Sequence, residues 1–379
     1  MTLRVLLVHT AYRERGGEDA VVDRQAALLR AAGHQVRVHL AENPESTRAS
    51  IGSLAVAPWN GAAGRRVATV IDEFDPDIVH VHNTWFASSP SVFAAAQASG
   101  RPVVATVHNY RPLCVNALLF RQGAVCVDCV GVTPWRGVVR RCYRDSVALS
   151  AVSAATSTSL RRALRKVDSI VVPSGTAARL LLEGGFDGDR LTVIAHSVDD
   201  PGRRTMPAED SDRVLFVGRL SPEKGLDALV SSWPAATGLR FDVIGDGPEA
   251  SRLQAMAAPG VRFLGWLGPA DVQAALLSAR ALVFPSVVVE TFGLAVAEAL
   301  AAGTPALVGS GTAAAELVEP GGGWVVERSS DDWISALSVL ADPLEVSRRA
   351  FEARNTYETA LSHETSRDSL ENLYTDLLR

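Results

Sequence analysis

The 379-residue chain is long enough for two or three domains, and its 47% hydrophobic and 21% charged residues describe a folded globular protein. A net charge of −5 and a pI near 5.9 exclude a global attraction to nucleic acid, so no nucleic-acid partner is expected. No apolar run approaches the length of a membrane span, and the opening MTLRVLLVHTAYRERGG is too short in its apolar core for a signal peptide; a cytoplasmic protein is expected.

That opening reads instead as a first strand, LRVLLVH (3–9). In chain order it is followed by QVRVHL (35–40), IVHVH (78–82), PVVATVH (102–108), SIVVPS (169–174) and LTVIAHSV (191–198). Helical patterns lie between them. Runs of Val, Ile and Leu without polar alternation indicate strands covered on both faces. The series breaks at DDPGRRTMPAEDSD (199–212), a polar stretch with two prolines and no apolar period, which predicts a linker. It then restarts with RVLFVGRL (213–220), RFDVIGDG (240–247), VRFLGWL (261–267), ALVFPS (281–286) and TPALVGS (304–310). The chain closes on TSRDSLENLYTDLLR (365–379), where Leu370, Leu373, Leu377 and Leu378 recur at helical spacing without revealing a docking site.

Strand–helix repetition on both sides of the break predicts an α/β protein of two Rossmann-like domains, each a doubly wound parallel sheet. The expected boundaries are 1–198, with a cysteine-bearing insertion at 110–145, a linker at 199–212, a second domain at 213–360 and a closing helix at 361–379.

In such sheets ligands bind at the carboxyl ends of strands. GRLSPEKG (218–225) follows a strand and sets Arg219 and Lys224 around a Ser-Pro turn, cations suited to a diphosphate. GDGP (245–248) follows the next strand, with Pro248 fit for a first helical position. PSVVVETFG (285–293) follows another, with Glu290 in the loop and the Phe292–Leu294 amides near a helix start. Glu290 and Glu298 are eight residues apart, roughly 12 Å on a continuous helix at 1.5 Å per residue. That is too far to share a metal or a proton, and it suits gripping two ends of an elongated polar ligand.

Together, GRLSPEKG, GDGP and the E-x7-E with FG inside resemble the donor half of family 4 retaining glycosyltransferases of GT-B fold. The likeness covers most of the chain, since Gly16 and Gly17, VHVHN (79–83) and TVHN (106–109) also fit. It implies two domains facing a cleft, the first on the acceptor side and the second holding a nucleotide-sugar donor. Glu290 would hold hydroxyls of the transferred sugar and Glu298 the ribose diol. Arg219 and Lys224 would bind the diphosphate, and His108 would approach the sugar from the opposite domain. The donor set implied is Gly16, Gly17, Gly218, Arg219, Lys224, Gly245, Glu290, Phe292, Gly293, Leu294 and Glu298, with His108, Arg219, Lys224 and Glu290 as the catalytic residues. Transfer to an acceptor hydroxyl would proceed by front-face attack with retention, without a metal, because cations replace it. A UDP-sugar is expected ahead of a GDP-sugar. One departure is HSVD (196–199), where the family commonly has an Asn-Gly turn before Val-Asp, which leaves His196 without an assigned role.

Plainer readings stand beside these. GDGPEA loosely matches a dinucleotide fingerprint, but no acid for a ribose follows about twenty positions on, which disfavours an NAD enzyme. His80 and His82 point to the same face of a strand, as a metal pair or as structural histidines. The segment 136–166 holds Arg136, Arg140, Arg141, Arg144, Arg161, Arg162, Arg165 and Lys166 against Asp145. It reads as a solvated face or as a contact for an anionic acceptor or anionic membrane, with no strong Trp or Phe face. The cysteines Cys114, Cys126, Cys129 and Cys142, spaced C-x11-C-x2-C-x12-C, fit a structural zinc, free thiols or disulfides. The loop VNALLFRQGAV between them is too short for a core of its own, so a metal would replace the missing burial. The rivals to a glycosyltransferase are a nucleotide-sugar epimerase or hydrolase, and a non-catalytic sugar-nucleotide binding protein. Retention of Glu290, Arg219 and Lys224 weighs against the last.

Overall fold

A run of Val, Ile and Leu is stable as a strand only where both faces are covered, and that is how the chain folds. The structure, a computed structural model, describes residues 2–12, 16–43, 54–234, 238–327 and 329–379. Two compact units emerge: Met1–Arg121 with Cys126–Ala195 and Ser366–Arg379, and His196–Thr365 with Gln122–Val125.

The first unit contains β1 (Arg4–Ala11), α1 (Gly17–Ala31), β2 (Gln35–Glu42), α2 (Gly61–Phe74), β3 (Ile78–Val81), α3 (Ser91–Ala98), β4 (Val103–Thr106), α4 (Val147–Leu164), β5 (Ser169–Val172), α5 (Gly175–Glu183) and β6 (Leu191–Val193). The strands pair in parallel in the order β2-β1-β3-β4-β5-β6. Val5 to Val8 of β1 have no exposed surface, as a central strand requires. Helix α1 turns Val21, Val22, Gln25, Ala26 and Leu29 inward and carries Glu18 and Asp19 in its first turn, where acids suit the positive end of the helix.

The second unit repeats the plan with β7 (Arg213–Val217), β8 (Arg240–Ile244), β9 (Val261–Gly265), α6 (Pro269–Leu277), β10 (Ala281–Phe284), α7 (Leu294–Ala301), β11 (Ala306–Gly309), α8 (Ala313–Val318), β12 (Gly323–Val326) and α9 (Pro343–Thr356). Its parallel order is β9-β8-β7-β10-β11-β12. Strand β12 was not expected from the sequence. It is only GWVV, and it pairs so closely that a Cβ on Gly323 would lie 2.0 Å from the Ala306 carbonyl oxygen.

The stretch 199–212 is not a bare linker. It belongs to the second unit as a packed strap. Arg204 donates to the carbonyl of Ala279 (2.6 Å) and to Thr304 Oγ1 (2.5 Å), and burial lowers its pKa to about 10. Asp200 accepts from both terminal nitrogens of Arg354 at 2.7 Å, and Ala208 is 1% exposed. Its polar residues are held by ion pairs and backbone carbonyls, interactions that leave no apolar period to read.

The closing helix α10 (His363–Leu377) begins in the second unit, while its residues from Ser366 onward group with the first. There Leu370 and Tyr374 are buried, and Leu373 and Leu377 pack with Leu3, Val5, Leu7 and Leu29. The docking site absent from the sequence is therefore the β1–α1 side of the first sheet.

Candidate functional site

In the second sheet the strand order reverses between β7 and β10, the switch point at which open parallel sheets present their ligand crevice. The loops leaving those two strands are GRLSPEKG and PSVVVETFG. Their backbones are stitched together: Val287 N donates to the Glu223 carbonyl (2.9 Å). Gly225, at φ 66°, sits so near that a Cβ would lie 2.4 Å from the Pro285 carbonyl oxygen. The result is an ion pair. Lys224 Nζ donates to Glu290 Oε1 at 2.7 Å, and Ser286 Oγ donates to the same oxygen at 2.8 Å. The Lys224 and Glu290 side chains are only 20% and 16% exposed. Glu290 is held at φ 49°, a left-handed conformation that side chains rarely adopt without a constraining surround.

The third loop, GDGP, meets the first at backbone distance. Leu220 N donates to the Asp246 carbonyl at 2.9 Å, and a Cβ on Gly245 (φ 135°) would lie 1.9 Å from the Gly218 carbonyl oxygen. Glycine at 245 is thus a packing requirement. Arg219 is exposed and has no ion pair among the described residues. Phe292 is buried against His196, ring centroids 5.1 Å apart at 70°, which gives the HSVD departure a packing role within this unit. Gly293, at φ 107°, caps α7, which starts at Leu294 and carries Glu298 part-buried. Glu290 lies in the loop before the helix, so the straight-helix spacing expected for the two acids does not apply.

In the first sheet the order reverses between β1 and β3. Asn83 Nδ2 donates to the Thr10 carbonyl at 2.8 Å and binds the two loops together. His80, His82 and His108 stack in a row, with centroids 4.4 Å and 5.2 Å apart, and His82 Nδ1 lies 2.9 Å from His108 Nε2. His80 is fully buried between the Tyr374 hydroxyl (2.7 Å from Nδ1) and Thr106 Oγ1 (2.7 Å from Nε2), and burial lowers its pKa to about 3. It is a structural histidine. His108 stands two residues past β4 and is 8% exposed. Gly16 and Gly17 open α1, and Gly16 N donates to Asp19 Oδ2 at 2.8 Å; Arg13, Glu14 and Arg15 before them lie outside the described residues.

Sequence reasoning missed a buried group here. Asp19 accepts from or pairs with His9 Nε2 at 2.9 Å, while Glu18 Oε1 accepts from Asn109 Nδ2 at 2.9 Å. Burial raises the Glu18 pKa, and it also raises that of Tyr12, with the nearby Glu18 adding to the second rise. Arg111 lies over the Trp85 ring, 3.8 Å from its centroid. The only available signal was an acid directly after the glycine pair.

The four cysteines are free and border one cavity of about 20 Å3, together with Asp128 and Arg140. Burial raises the pKa of Cys114, Cys129 and Cys142. Among the described residues no three Cys, His, Asp or Glu side chains stand together as a ready metal site. Part of the insertion is buried against the rest of the unit: Val115 packs with Val138 and with Ala154 of α4. Leu113, Val115 and Leu119 are fully buried, and a Cβ on Gly137 would lie 2.5 Å from Val115.

The basic segment divides. Arg161 is buried and donates to the carbonyls of Pro112 (3.0 Å) and Val132 (2.8 Å), and Arg140 pairs with Asp128. Arg136, Arg141, Arg144, Arg162, Arg165 and Lys166 are exposed. Segment 136–166 contains no Trp or Phe, but just before it, on the short helix Trp135–Val139, Trp135 is 66% and Val139 64% exposed. No helix among the described residues is long and apolar enough to cross a membrane.

Two family models match, one described as Glycosyltransferase Family 4 over residues 15–200 and one as Glycosyl transferases group 1 over residues 211–342. The chain is 28% identical over 311 residues to the phosphatidyl-myo-inositol mannosyltransferase of Mycobacterium leprae, a match covering 76% of this chain and 74% of that protein. It is 30% identical over 291 residues to the glycogen synthase of Mycobacterium tuberculosis strain H37Rv, covering 74% of this chain and 64% of that protein. Its fold is similar to that of sucrose-phosphate synthase from Thermosynechococcus elongatus, with a TM-score of 0.72 at 16% identity over 99% of both chains.

Proposed function

Because the chain belongs to glycosyltransferase family 4 and has its GT-B fold, we propose that the second unit binds a nucleoside-diphosphate sugar and that the sugar passes to an acceptor hydroxyl with retained configuration. The observation that carries this reading is the Lys224–Glu290 pair at the β7/β10 switch point. A carboxylate fixed by Lys224 and Ser286 is suited to accept hydrogen bonds from sugar hydroxyls. Lys224 and the exposed Arg219 offer charge to the diphosphate. In the step proposed, the bond from the anomeric carbon to the diphosphate oxygen breaks while the acceptor oxygen bonds to that carbon on the same face. The acceptor's proton goes to the departing phosphate oxygen, and the two cations stabilise the charge that develops there. Glu298 is assigned the nucleoside ribose.

A panel of UDP- and GDP-sugars in thermal shift identifies the donor, since ligand at 100 times its Kd stabilises by about 2.7 kcal/mol. NMR of the product then gives the anomeric configuration. An inverted product overturns the mechanism, and release of free sugar or an epimer with no acceptor supports a hydrolase or epimerase instead.

We further propose that the exposed Trp135, Val139, Arg136, Arg141 and Arg144 touch an anionic bilayer surface. Each cation near such a surface contributes about 1 kcal/mol, and an interfacial tryptophan adds an apolar anchor. Cosedimentation with phosphatidylglycerol vesicles, lost with Arg141→Glu and Arg144→Glu and absent with phosphatidylcholine, is the expected result. Equal binding to both vesicle types would refute it.

A further inference from the structure

Outside the donor loops, the least explained polar atoms of the first unit are Glu18 Oε2 and Arg111 Nε. Both are buried, and neither has a hydrogen-bond partner among the described residues. Leaving either unsatisfied costs about 1–3 kcal/mol, more for a charged group, so the pair calls for an occupant. Both residues border one cavity of about 30 Å3, beside His82, Asn83, His108 and Asn109 at the strand ends next to the β1/β3 reversal. That volume is room enough for a hydroxyl group or a water.

The surroundings hold both side chains in place. Asn109 Nδ2, donating to Oε1 at 2.9 Å, and the Tyr12 hydroxyl fix the Glu18 carboxyl, while Oε2 has no partner among the described residues. Asn109 Oδ1 in turn accepts from Arg111 N at 3.1 Å, and the Arg111 guanidinium is clamped on Trp85. The polarity selects the ligand. An anion would meet the Glu18 carboxyl, and an ammonium would meet Arg111. A neutral polyol meets neither difficulty, because its hydroxyls both donate and accept.

We propose that Glu18 and Arg111 form the seat of an acceptor hydroxyl, with a neutral polyol donating to Glu18 Oε2 and accepting from Arg111 Nε. The proposal deepens the glycosyl-transfer reading and rests on it for the word acceptor, whereas the seat itself needs no donor. It makes Glu18 a specificity-determining residue. Glu18→Gln keeps the bond from Asn109 through the amide oxygen and turns the amide NH2 into the cavity. Two donors then face the ligand, a pattern that favours an anion.

Saturation-transfer NMR on the full chain, with glycerol and inositol as polyols and inorganic phosphate as the anion, tests this. Wild type is expected to bind a polyol and to prefer it to phosphate. Glu18→Gln should weaken polyol binding at least tenfold and strengthen phosphate binding, and Arg111→Lys should weaken the polyol alone. Absence of polyol binding by wild type, or equal binding by wild type and Glu18→Gln with both folded, overturns the seat. Nucleotide-sugar thermal shifts on the same samples report separately on the second unit. Their absence beside a normal polyol response would sink the donor assignment and leave the seat standing.

Discussion

Lys224 Nζ and Glu290 Oε1 lie 2.7 Å apart although they are 66 positions apart in the chain, each on a loop from a neighbouring strand at the reversal of the second sheet. The pair couples the group assigned to the diphosphate with the group assigned to the sugar. Lys224→Met should lower kcat by about 10²–10³, the loss expected for one donor to a developing anion. Nucleoside diphosphate binding should fall less, because the charge grows toward the transition state. Glu290→Gln should cut turnover and spare nucleoside diphosphate affinity. Equal losses of kcat and affinity in both variants, read by steady-state kinetics and calorimetry, would refute the division of roles.

Gly245→Ala should destabilise the second unit far more than Gly33→Ala, although both glycines have positive φ (135° and 89°). At Gly33 a Cβ meets nothing within 4 Å, so the cost is limited to backbone strain of about 1 kcal/mol. At Gly245 the Cβ would sit 1.9 Å from the Gly218 carbonyl oxygen, so two donor loops must separate. Thermal unfolding and nucleotide binding both measure this. Similar Tm losses in the two variants would show that the loops yield readily.

His80 gives stability a defined pH dependence. Its pKa falls from 6.5 to about 3 on folding, because burial disfavours the charged ring. Between those values the unfolded chain binds a proton that the native state does not, so stability falls as pH drops through 6.5 toward 3. The contribution is about 1.4 kcal/mol per pH unit within that window. Asp242 acts in stronger acid: burial alone would raise its pKa, but hydrogen bonds from Arg262 and Arg213 outweigh this and hold it low. Urea unfolding from pH 7.5 to 5 should therefore show a shallower slope for His80→Gln than for wild type, whatever its absolute stability. Parallel slopes would mean that the ring is protonated in the native state.

The contrast between His80 and Lys224 shows what the sequence can disclose. Strands of a doubly wound sheet are continuous apolar runs, and loops follow them directly, so the strand-end placement of Arg219, Lys224, Gly245 and Glu290 was legible in the sequence. The partners of His80 were not: Gln25 reaches Tyr374 across 349 positions, and no local pattern predicts that bond. Strand β12 escaped because four residues behind a run of glycines carry no period. The strap 199–212 was misread because charge paired with backbone carbonyls looks like solvation. Glu18 stood in view beside Gly17, but its burial depends on Asn109, 91 positions away.

The four cysteines supply the last prediction. All four border one small cavity, a placement suited to zinc, which takes four thiolates at about 2.3 Å. As placed, no three ligand groups among the described residues form a ready site, so the metal must draw the sulfurs inward as it displaces their protons. We propose one zinc per chain in protein purified without added metal. Leu113, Val115 and Leu119 are fully buried, and Val115 packs with Val138 and with Ala154 of α4, so the insertion has anchorage besides any metal. Cys126→Ser with Cys129→Ser should therefore remove the zinc and lower Tm while the chain stays folded and still binds donor in the second unit. Had the metal been the sole core of the insertion, as first expected, the same variant would unfold it and expose it to proteolysis. Elemental analysis is decisive: no metal, together with four thiols titrating in the native protein, leaves the cysteines as packed free thiols.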